Sequence, residues 1–425
     1  MLKFALNRRS DQFFIEFDVP IDENIANHEA LSEVLEFFSD KKDCSLQYDE
    51  LKQITGLHGN ISSFMYFIDL FLNSKEAVVQ KKILNDIFHK DVVQQEAVKV
   101  NFHQNPFDNS FRYWSFILNQ GYFTDYFFNR INWYIGPKNG YVIPFPLHVD
   151  IESASTCNMN CPMCYRDQLN DTGQMEFDLF QKAVDQCYEN NVFSIRLSWR
   201  GETLTHPRIK EMIAYATKRI KNVSFLTNAF YIDEDMADCF IENKVNYVAV
   251  SFDGIGETYE AVRHPARFED SYRRLQILKN NKQKADSSFP QVRLCTIWPA
   301  IKNDPDAYYK KMKDVSDYIV CNPYINFKGD MNIKPDFICQ YPWERIVIAY
   351  NGATQCCTGW NANDIILGNI KDLSISQMWH SEMMNDIRKK HALGQRMKLN
   401  SCANCRHGSE TDPDINISDI LERRF

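Results

Sequence analysis

Hydrophobic residues in the middle third of the chain come in short runs, separated by longer segments with helical spacing. The runs are rich in β-branched and apolar side chains, which is typical of buried strands. The intervening segments are amphipathic, and this alternation predicts parallel βα units in an α/β fold. The predicted strands are 147–152, 194–198, 223–227, 247–251, 292–297 and 325–327, and the predicted helices include 177–189, 208–219, 233–242 and 268–281.

Six predicted strands are too few to close an eight-stranded barrel. We therefore expect a partial barrel that is open on one side, which leaves room for a large substrate. In parallel α/β architectures, ligands bind at the C-terminal ends of the strands. We therefore expect the residues that bind ligands or carry out the reaction at those ends.

Three cysteines follow the first predicted strand directly: Cys157, Cys161 and Cys164, spaced C-x3-C-x2-C. Thiolates are the soft ligands that iron–sulfur clusters require. Three of them on one loop can bind three irons of a 4Fe–4S cluster and leave the fourth open to an amino and carboxylate chelator. The alternatives are half of a zinc site, which normally takes four protein ligands, and reduced core cysteines. The position at a strand end favours the cluster.

This loop resembles the signature of the radical S-adenosylmethionine (SAM) superfamily, with Met163 in its apolar slot. The resemblance extends over about 146–330. The segment 200–207 is similar to the family's G-G-E-P motif, with Arg200 and Thr203 as departures. The segment 226–229 is similar to its T-N-G turn, and 250–254 to the strand end that contacts the SAM ribose.

The resemblance implies a partial (βα)6 barrel and reductive cleavage of SAM to methionine and a 5′-deoxyadenosyl radical. That radical takes a hydrogen atom from an unactivated C–H bond. Gly201 and Glu202 are expected to hold the methionine ammonium, since carboxylate and carbonyl oxygens suit a cation. Arg263 is a candidate for the SAM carboxylate; the alternative is a surface arginine in a solvated loop. The other expected contacts are Thr227, Asn228, Ser251 and Asp253 with the ribose, and Met163 and Tyr165 flanking the adenine.

Four further cysteines near the C-terminus give C-x17-C-x44-C-x2-C: Cys339, Cys357, Cys402 and Cys405. Four thiolates complete a tetrahedral set for zinc or for a 4Fe–4S cluster, and the adjacent radical SAM core favours iron–sulfur. A turn at Gly352 is expected to return Cys357 on a strand. Because neighbouring strand residues point to opposite faces, only one of Cys356 and Cys357 should then reach the metal.

The region 339–408 resembles the twitch version of the SPASM extension, with 367–370 and 375–379 similar to its connecting turn and helix. No cysteine follows Cys405, so we expect a single auxiliary 4Fe–4S cluster. The expected domains are 1–140 at the N-terminus, 141–333 for the barrel and 334–425 for the auxiliary cluster.

Two of the remaining cysteines, Cys295 and Cys321, are expected on or beside barrel strands. A thiol in the barrel cavity could return a hydrogen atom to a substrate radical, as in radical epimerases, so both are candidate catalytic residues. The alternative for each is a small buried apolar side chain.

The first 140 residues have a different pattern of hydrophobic positions. An alternation typical of a half-buried strand runs through Phe13, Ile15, Phe17 and Val19. Helices are predicted over 31–38, 45–55 and 61–72, with a possible wing at 77–83. This order resembles the winged-helix elements that recognise peptides in peptide-modifying enzymes. The alternative is an α-helical cap specific to this family.

Composition narrows the class of protein. The chain has 425 residues, 44% of them hydrophobic, 24% charged, and a net charge of −8. A folded protein of more than one domain is expected, and the acidic balance argues against nucleic acid as a partner. No apolar run approaches the roughly 18 residues of a membrane span. Thirteen cysteines without a secretion signal indicate reduced thiols and metal ligands in the cytoplasm.

The leading hypothesis is a radical SAM oxidoreductase that modifies a ribosomally synthesised peptide, served by a flavodoxin- or ferredoxin-type electron donor. The runner-up is a small-molecule enzyme, such as an aminocyclitol or sugar dehydrogenase or epimerase, because the single auxiliary cluster resembles that of 2-deoxy-scyllo-inosamine dehydrogenase. A zinc-stabilised binding protein without catalytic activity is the third hypothesis.

Overall fold

A computed structural model describes residues 142–327, 332–359, 362–409 and 414–421, the strands at 4–9, 12–17 and 44–47, and residues 107, 116–117, 119–122, 125–126, 129 and 132–133. The chain divides into two compact units. Residues 1–95 and 122–135 form the first, and residues 96–121 and 136–425 form the second.

The described part of the first unit is an antiparallel sheet in the order β1-β2-β3, from strands β1 (Phe4–Arg9), β2 (Gln12–Phe17) and β3 (Cys44–Gln47). The strand predicted from the alternation at 13–19 is confirmed over 13–17, and Val19 lies outside the described residues. The helix predicted from residue 45 is wrong over 45–47, because these residues pair with β2 and sheet pairing overrides local helix propensity. The predicted elements at 31–38, 61–72 and 77–83 lie outside the described residues.

The second unit contains a nine-stranded sheet in the order β12-β11-β10-β4-β5-β6-β7-β8-β9. The strands from β10 across to β9 are parallel, and β11 and β12 are antiparallel. Their bounds are β4 (His148–Ile151), β5 (Ser194–Arg196), β6 (Asn222–Thr227), β7 (Tyr247–Ser251), β8 (Gln291–Ile297), β9 (Tyr318–Asn322), β10 (Arg345–Ile348), β11 (Ala353–Gln355) and β12 (Ile366–Asn369).

Helices connect the parallel strands, as the alternating pattern predicts. The first buries Leu179, Phe180, Ala183, Val184 and Cys187, a stripe at helical spacing. The bounds are α1 (Phe177–Glu189), α2 (Ile209–Thr217), α3 (Glu234–Glu242), α4 (Gly256–Val262), α5 (Phe268–Lys284), α6 (Pro305–Met312), α7 (Tyr341–Glu344), α8 (Ile375–Trp379), α9 (Glu382–Ala392), α10 (Asn400–Ala403) and α11 (Ile417–Leu421).

The last barrel strand differs from the prediction. The sequence predicts it at 325–327, but β9 spans Tyr318–Asn322, where Val320 lies opposite Cys295 of β8. Pro323 follows at once, and a proline has no N–H to continue the ladder. Residues 325–327 therefore follow the strand, and Cys321 lies within it.

The C-terminal region extends the barrel sheet. Strand β10 pairs in parallel with β4, placing Ile346 opposite Val149, and the hairpin to β11 continues the sheet. The loop with Cys157, Cys161 and Cys164 after β4 and the Cys357 segment after β11 thus follow strands of one continuous sheet. In the described part of the chain, no helix has the length and hydropathy that a bilayer span requires.

Trp379, at the end of α8, connects the C-terminal region to the segment before β4. Its ring is fully buried, its Nε1 donates to the Ile143 carbonyl at 2.8 Å, and the Arg388 guanidinium lies 4.2 Å from the ring centre. We expect Trp379→Ala to lower the free energy of unfolding by about 3–5 kcal/mol, through lost burial and an unpaired carbonyl. Thermal unfolding measures this. Leu393→Ala, which removes a 58% exposed side chain, should leave the melting temperature nearly unchanged.

Candidate cluster and cofactor sites

The loop after β4 brings Cys157, Cys161 and Cys164 together. Cys164 donates its backbone N–H to the Cys161 carbonyl at 3.0 Å, and Met159 donates its N–H to the Cys157 sulfur at 3.5 Å. Arg263 donates to the Cys161 sulfur at 3.7 Å. Burial raises the pKa of the Cys161 thiol to about 11, with Arg263 acting in the opposite direction. Donors aimed at sulfur are what a thiolate ligand needs.

The segment similar to G-G-E-P packs against this loop. A Cβ on Gly201 would lie 2.5 Å from backbone atoms of Ala154, Ser155 and Thr156, so the close approach requires glycine. The next residue, Glu202, donates its N–H to the Thr156 carbonyl at 2.8 Å.

The buried Glu202 carboxylate is held by hydrogen bonds. Oε1 accepts from Thr227 Oγ1 at 2.7 Å and the Leu204 N–H at 3.1 Å, while Oε2 accepts from the Asn228 N–H at 2.7 Å. Burial raises the pKa of Glu202 above its usual value, although these hydrogen bonds act to lower it. A carboxylate offers about four acceptor positions, so one remains on Oε2 for an ammonium group.

The two departures from the G-G-E-P pattern have structural partners. Arg200 forms a bidentate ion pair with the fully buried Glu152, at 2.8 Å and 2.6 Å. The Thr203 hydroxyl donates to the Leu197 carbonyl at 2.6 Å. Both side chains anchor the motif loop to the ends of β4 and β5.

The T-N-A turn follows β6. Ala229 has a φ of 67°, the left-handed conformation in which the family has glycine. Asn228 Nδ2 donates to Asn158 Oδ1 at 2.8 Å and lies 3.9 Å from the Cys157 sulfur. The turn therefore borders the cluster loop.

Asp253 and Arg263 meet at the top of the barrel in a buried ion pair. Asp253 Oδ1 also accepts from the Ile297 N–H at 2.7 Å. The Arg263 side chain is only 16% exposed and pairs with Asp253, so the alternative of a surface arginine in a solvated loop is wrong. Its position beside Cys161 fits the expectation that it faces SAM.

A cavity of about 230 Å³ lies inside the barrel, with Ser251, Asp253 and Arg263 in its wall. Cys295 also lines it. Cys321 does not: it is buried, and its neighbour Asn322 lines the cavity, as alternation along β9 requires. Of the two candidate hydrogen donors, the structure brings only Cys295 to this cavity.

The two residues expected to flank the adenine, Met163 and Tyr165, lie in different surroundings. Met163 is half-buried between two cysteines of the cluster loop. The Tyr165 ring contacts Phe327 edge-on at 5.3 Å and lines a second, larger cavity.

That second cavity, of about 520 Å³, contains Cys339, Cys357, Cys402 and Cys405 in its wall. Backbone N–H groups of Gly359 and His407 donate to the sulfurs of Cys357 and Cys405, at 3.3 Å and 3.4 Å. A single zinc ion would need its thiolates about 2.3 Å away. Within the described ranges, no three His, Cys, Asp or Glu side chains converge tightly enough to hold one metal ion. The four thiols around a large cavity fit a cluster.

Cys356 also lines this cavity, next to Cys357. The prediction that the two point to opposite faces of a strand is wrong, because β11 ends at Gln355 and alternation stops with it. The Cys356 thiol donates a hydrogen bond to Cys357, which lowers the pKa of Cys357 and raises that of Cys356.

Two residues that the sequence analysis did not single out support the auxiliary site. Arg396 is buried and donates to the carbonyls of Cys402 and Cys405, at 3.1 Å and 2.9 Å. His391 Nε2 lies 3.4 Å from the Cys402 sulfur, and its Nδ1 accepts from the Cys339 N–H at 3.3 Å. Burial lowers the pKa of His391 to about 4, so the ring is neutral near pH 7. No motif or spacing in the sequence pointed to Arg396 or His391.

The two cavities share a wall formed by Arg196 of β5 and Leu226 of β6. Trp199, just beyond β5, donates from Nε1 to the Thr358 carbonyl at 2.8 Å and so fixes the Cys357 segment to the barrel. Sequence reasoning could have identified Arg196, because it is a charged residue within an otherwise buried strand.

The comparisons with known proteins agree with this geometry. The family model for the radical SAM superfamily matches residues 151–313, and the model for an iron–sulfur cluster-binding domain, SPASM, matches residues 339–406. The chain thus contains a radical SAM domain and a SPASM-type domain. These domains bind SAM with a 4Fe–4S cluster and auxiliary iron–sulfur, respectively.

Individual relatives match over shorter segments. The antilisterial bacteriocin subtilosin biosynthesis protein AlbA of Bacillus subtilis (strain 168) is 28% identical over 28% of this chain and 27% of its own length. The mycofactocin maturase MftC of Mycobacterium ulcerans is 27% identical over 31% of this chain and 36% of its own. The matches thus span about a third of these relatives. The crystal structure of BtrN with AdoMet and 2-DOIA is 19% identical, with a TM-score of 0.45 over 62% of this chain and 94% of BtrN.

The auxiliary ligand set can be tested at the adjacent pair. We expect Cys357→Ala to lose the auxiliary cluster, about half of the iron expected for two 4Fe–4S clusters, because the Gly359 N–H is aimed at the Cys357 sulfur. Cys356→Ala is the matched control and should keep it. Iron and sulfide per chain, with Mössbauer spectra, measure both. Iron lost from the Cys356 variant and kept in the Cys357 variant would reverse the assignment.

Proposed function

We propose that this chain is an enzyme that cleaves SAM reductively and uses the resulting radical to modify a ribosomally synthesised peptide. The observation that carries the proposal is the arrangement of the cavities. Arg263, which contacts Cys161 of the cluster loop, lines the barrel cavity, and that cavity shares a wall with the cavity of the auxiliary thiols. A group bound in the barrel lies between the two sites.

The chain's own residues fit defined roles. When bound, the first cluster supplies the electron that splits SAM into methionine and a 5′-deoxyadenosyl radical, which takes a hydrogen atom from a substrate C–H bond. Cys157, Cys161 and Cys164 hold that cluster, Glu202 accepts the methionine ammonium, and Arg263 binds the carboxylate.

The ribose and electron-transfer roles complete the proposal. Thr227, Asn228, Ser251 and Asp253 hydrogen-bond the ribose. Cys339, Cys357, Cys402 and Cys405 would hold the auxiliary cluster. With four thiolates it would have no open iron for a second SAM, and it would supply an acceptor for an electron from the substrate. A flavodoxin- or ferredoxin-type protein supplies the first electron.

The peptide substrate is supported by the relatives. AlbA is a bacteriocin biosynthesis protein and MftC is a maturase, and segments of both match this chain. The second candidate is a small-molecule dehydrogenase or epimerase, favoured by the single set of four auxiliary cysteines in the sequence.

Alanine at Cys157, Cys161 and Cys164 together should abolish 5′-deoxyadenosine formation from SAM under anaerobic reducing conditions. The reason is that a cluster needs thiolate ligands, and these three are the ones that border the SAM residues. Chromatography of the reaction measures the product, and iron analysis should show that the auxiliary cluster remains. Continued SAM cleavage by the triple variant would contradict the proposal.

Substrate class requires a separate measurement. Co-expression with any short open reading frame beside the gene, followed by mass spectrometry of the encoded peptide, tests peptide modification. The triple cysteine variant is the control. An unmodified peptide, with turnover of an aminocyclitol or sugar instead, would favour the second candidate.

Because Cys295 lines the barrel cavity and Cys321 does not, replacing the two thiols should have different effects on the product. If the reaction is an epimerisation, Cys295 returns a hydrogen atom to the substrate radical, and an external reductant restores the thiol before the next turnover. Cys295→Ser should then lose epimerised product while 5′-deoxyadenosine still forms, because a hydroxyl is a far poorer hydrogen-atom donor. Cys321→Ser is the matched control, since Cys321 does not line the cavity. Equal product loss in both variants would remove Cys295 from this role.

A further inference from the structure

The charge of the barrel cavity is unbalanced. Three arginines line it, Arg196, Arg263 and Arg293, against one carboxylate, Asp253. Arg196 pairs with Asp150 at 2.6 Å, and Arg263 pairs with Asp253. No carboxylate of the described residues pairs with Arg293. Among the described residues, the Arg293 guanidinium thus has no carboxylate as a counter-charge.

The surroundings of Arg293 satisfy its guanidinium only in part, through a hydrogen bond with the Cys295 thiol. Its Nε is buried without a hydrogen-bond partner, and its guanidinium lies 5.2 Å from the centre of the Tyr247 ring. A buried charge is costly unless it is paired and hydrogen-bonded. An arginine placed on an interior strand face in this condition indicates an anionic ligand.

Arg293 is separate from the residues expected to bind SAM. It lies on β8, two residues before Cys295, so the two Cα atoms are about 7 Å apart along the strand and both side chains lie on the same face, where they hydrogen-bond to each other. Arg263 contacts the cluster loop, whereas Arg293 lies opposite Ala249, deeper in the barrel. An anion held by Arg293 would therefore place adjoining atoms beside Cys295.

We propose that Arg293, with Arg196 in the same wall, binds a carboxylate group of the substrate and so selects a substrate that is acidic near the reacting carbon. This inference rests on the proposed function, because the anions of a peptide are carboxylates. A guanidinium binds a carboxylate bidentately, which fixes orientation as well as charge. The carboxylate comes from an Asp or Glu side chain or from the carboxyl terminus of the peptide.

The test uses the anaerobically purified protein with both clusters and saturating SAM, so that Arg263 is occupied. Two pairs of probes differ only in charge: N-acetylglutamic acid α-amide against N-acetylglutaminamide, and N-acetylalanine against N-acetylalaninamide. Saturation-transfer NMR gives their affinities. We expect one acid to bind about 10- to 100-fold more tightly than its neutral partner, as for a charge-assisted hydrogen-bonded pair. The pair with the larger preference identifies the source of the carboxylate.

The preference should disappear in Arg293→Gln and persist in Arg273→Gln, a control at a 68% exposed arginine. Equal binding of acid and amide by the unmodified protein, or a preference that survives Arg293→Gln, overturns the proposal. If Arg293→Gln melts at a lower temperature, Arg293→Lys decides: it keeps the charge but loses the planar fork, so the preference must fall.

Cleavage of SAM by the same preparation separates the two proposals. Charge-selective binding without SAM cleavage contradicts the proposed function and leaves the carboxylate site standing. SAM cleavage without charge selectivity contradicts the carboxylate site alone.

Discussion

The buried carboxylate of Glu152, at the end of β4, holds three parts of the molecule in place. It accepts both hydrogen bonds of the Arg200 fork, and Oε2 also accepts the Tyr350 N–H at 3.1 Å. Glu152 in turn donates its N–H to the Ile348 carbonyl at 2.9 Å. A buried charge must be paired and hydrogen-bonded, so the first barrel strand, the motif loop and the auxiliary hairpin have a fixed relation. The positions of both cysteine sites depend on this.

The sheet extends the same constraint. Strand β4 pairs with β5 on one side and β10 on the other, all in parallel. Side chains on β5 consequently face two cavities, and Arg196 lines both. Asp150 forms an ion pair with Arg196 and also pairs with Arg345 at 3.3 Å. The wall between the two sites thus presents one ion-paired arginine and one leucine side chain to a substrate placed between them.

Departures from the family pattern are explained by local contacts. Arg200 replaces a glycine and pairs with Glu152, and Thr203 replaces a proline and bonds to a backbone carbonyl. Ala229 keeps the left-handed turn at some cost, since its Cβ is disfavoured there. Gly201 has no such freedom, because backbone atoms of the cluster loop fill the space around it. The motif residue is kept at Gly201, where backbone contact requires glycine. It differs at Arg200 and Thr203, where the new side chain forms its own hydrogen bonds.

Local spacing by itself determined the cluster loop, five of the six predicted barrel strands and the four auxiliary cysteines, because these depend on neighbours in the chain. It misplaced β9 and the helix at residue 45, where pairing with a distant strand decides the structure. The convergence of Cys356 and Cys357, the ion pair of Arg263 and, among the described residues, the lack of a carboxylate partner for Arg293 followed only from the tertiary structure. Their physical reason is common: the direction of a side chain and the charge opposite it are set by residues far away in sequence.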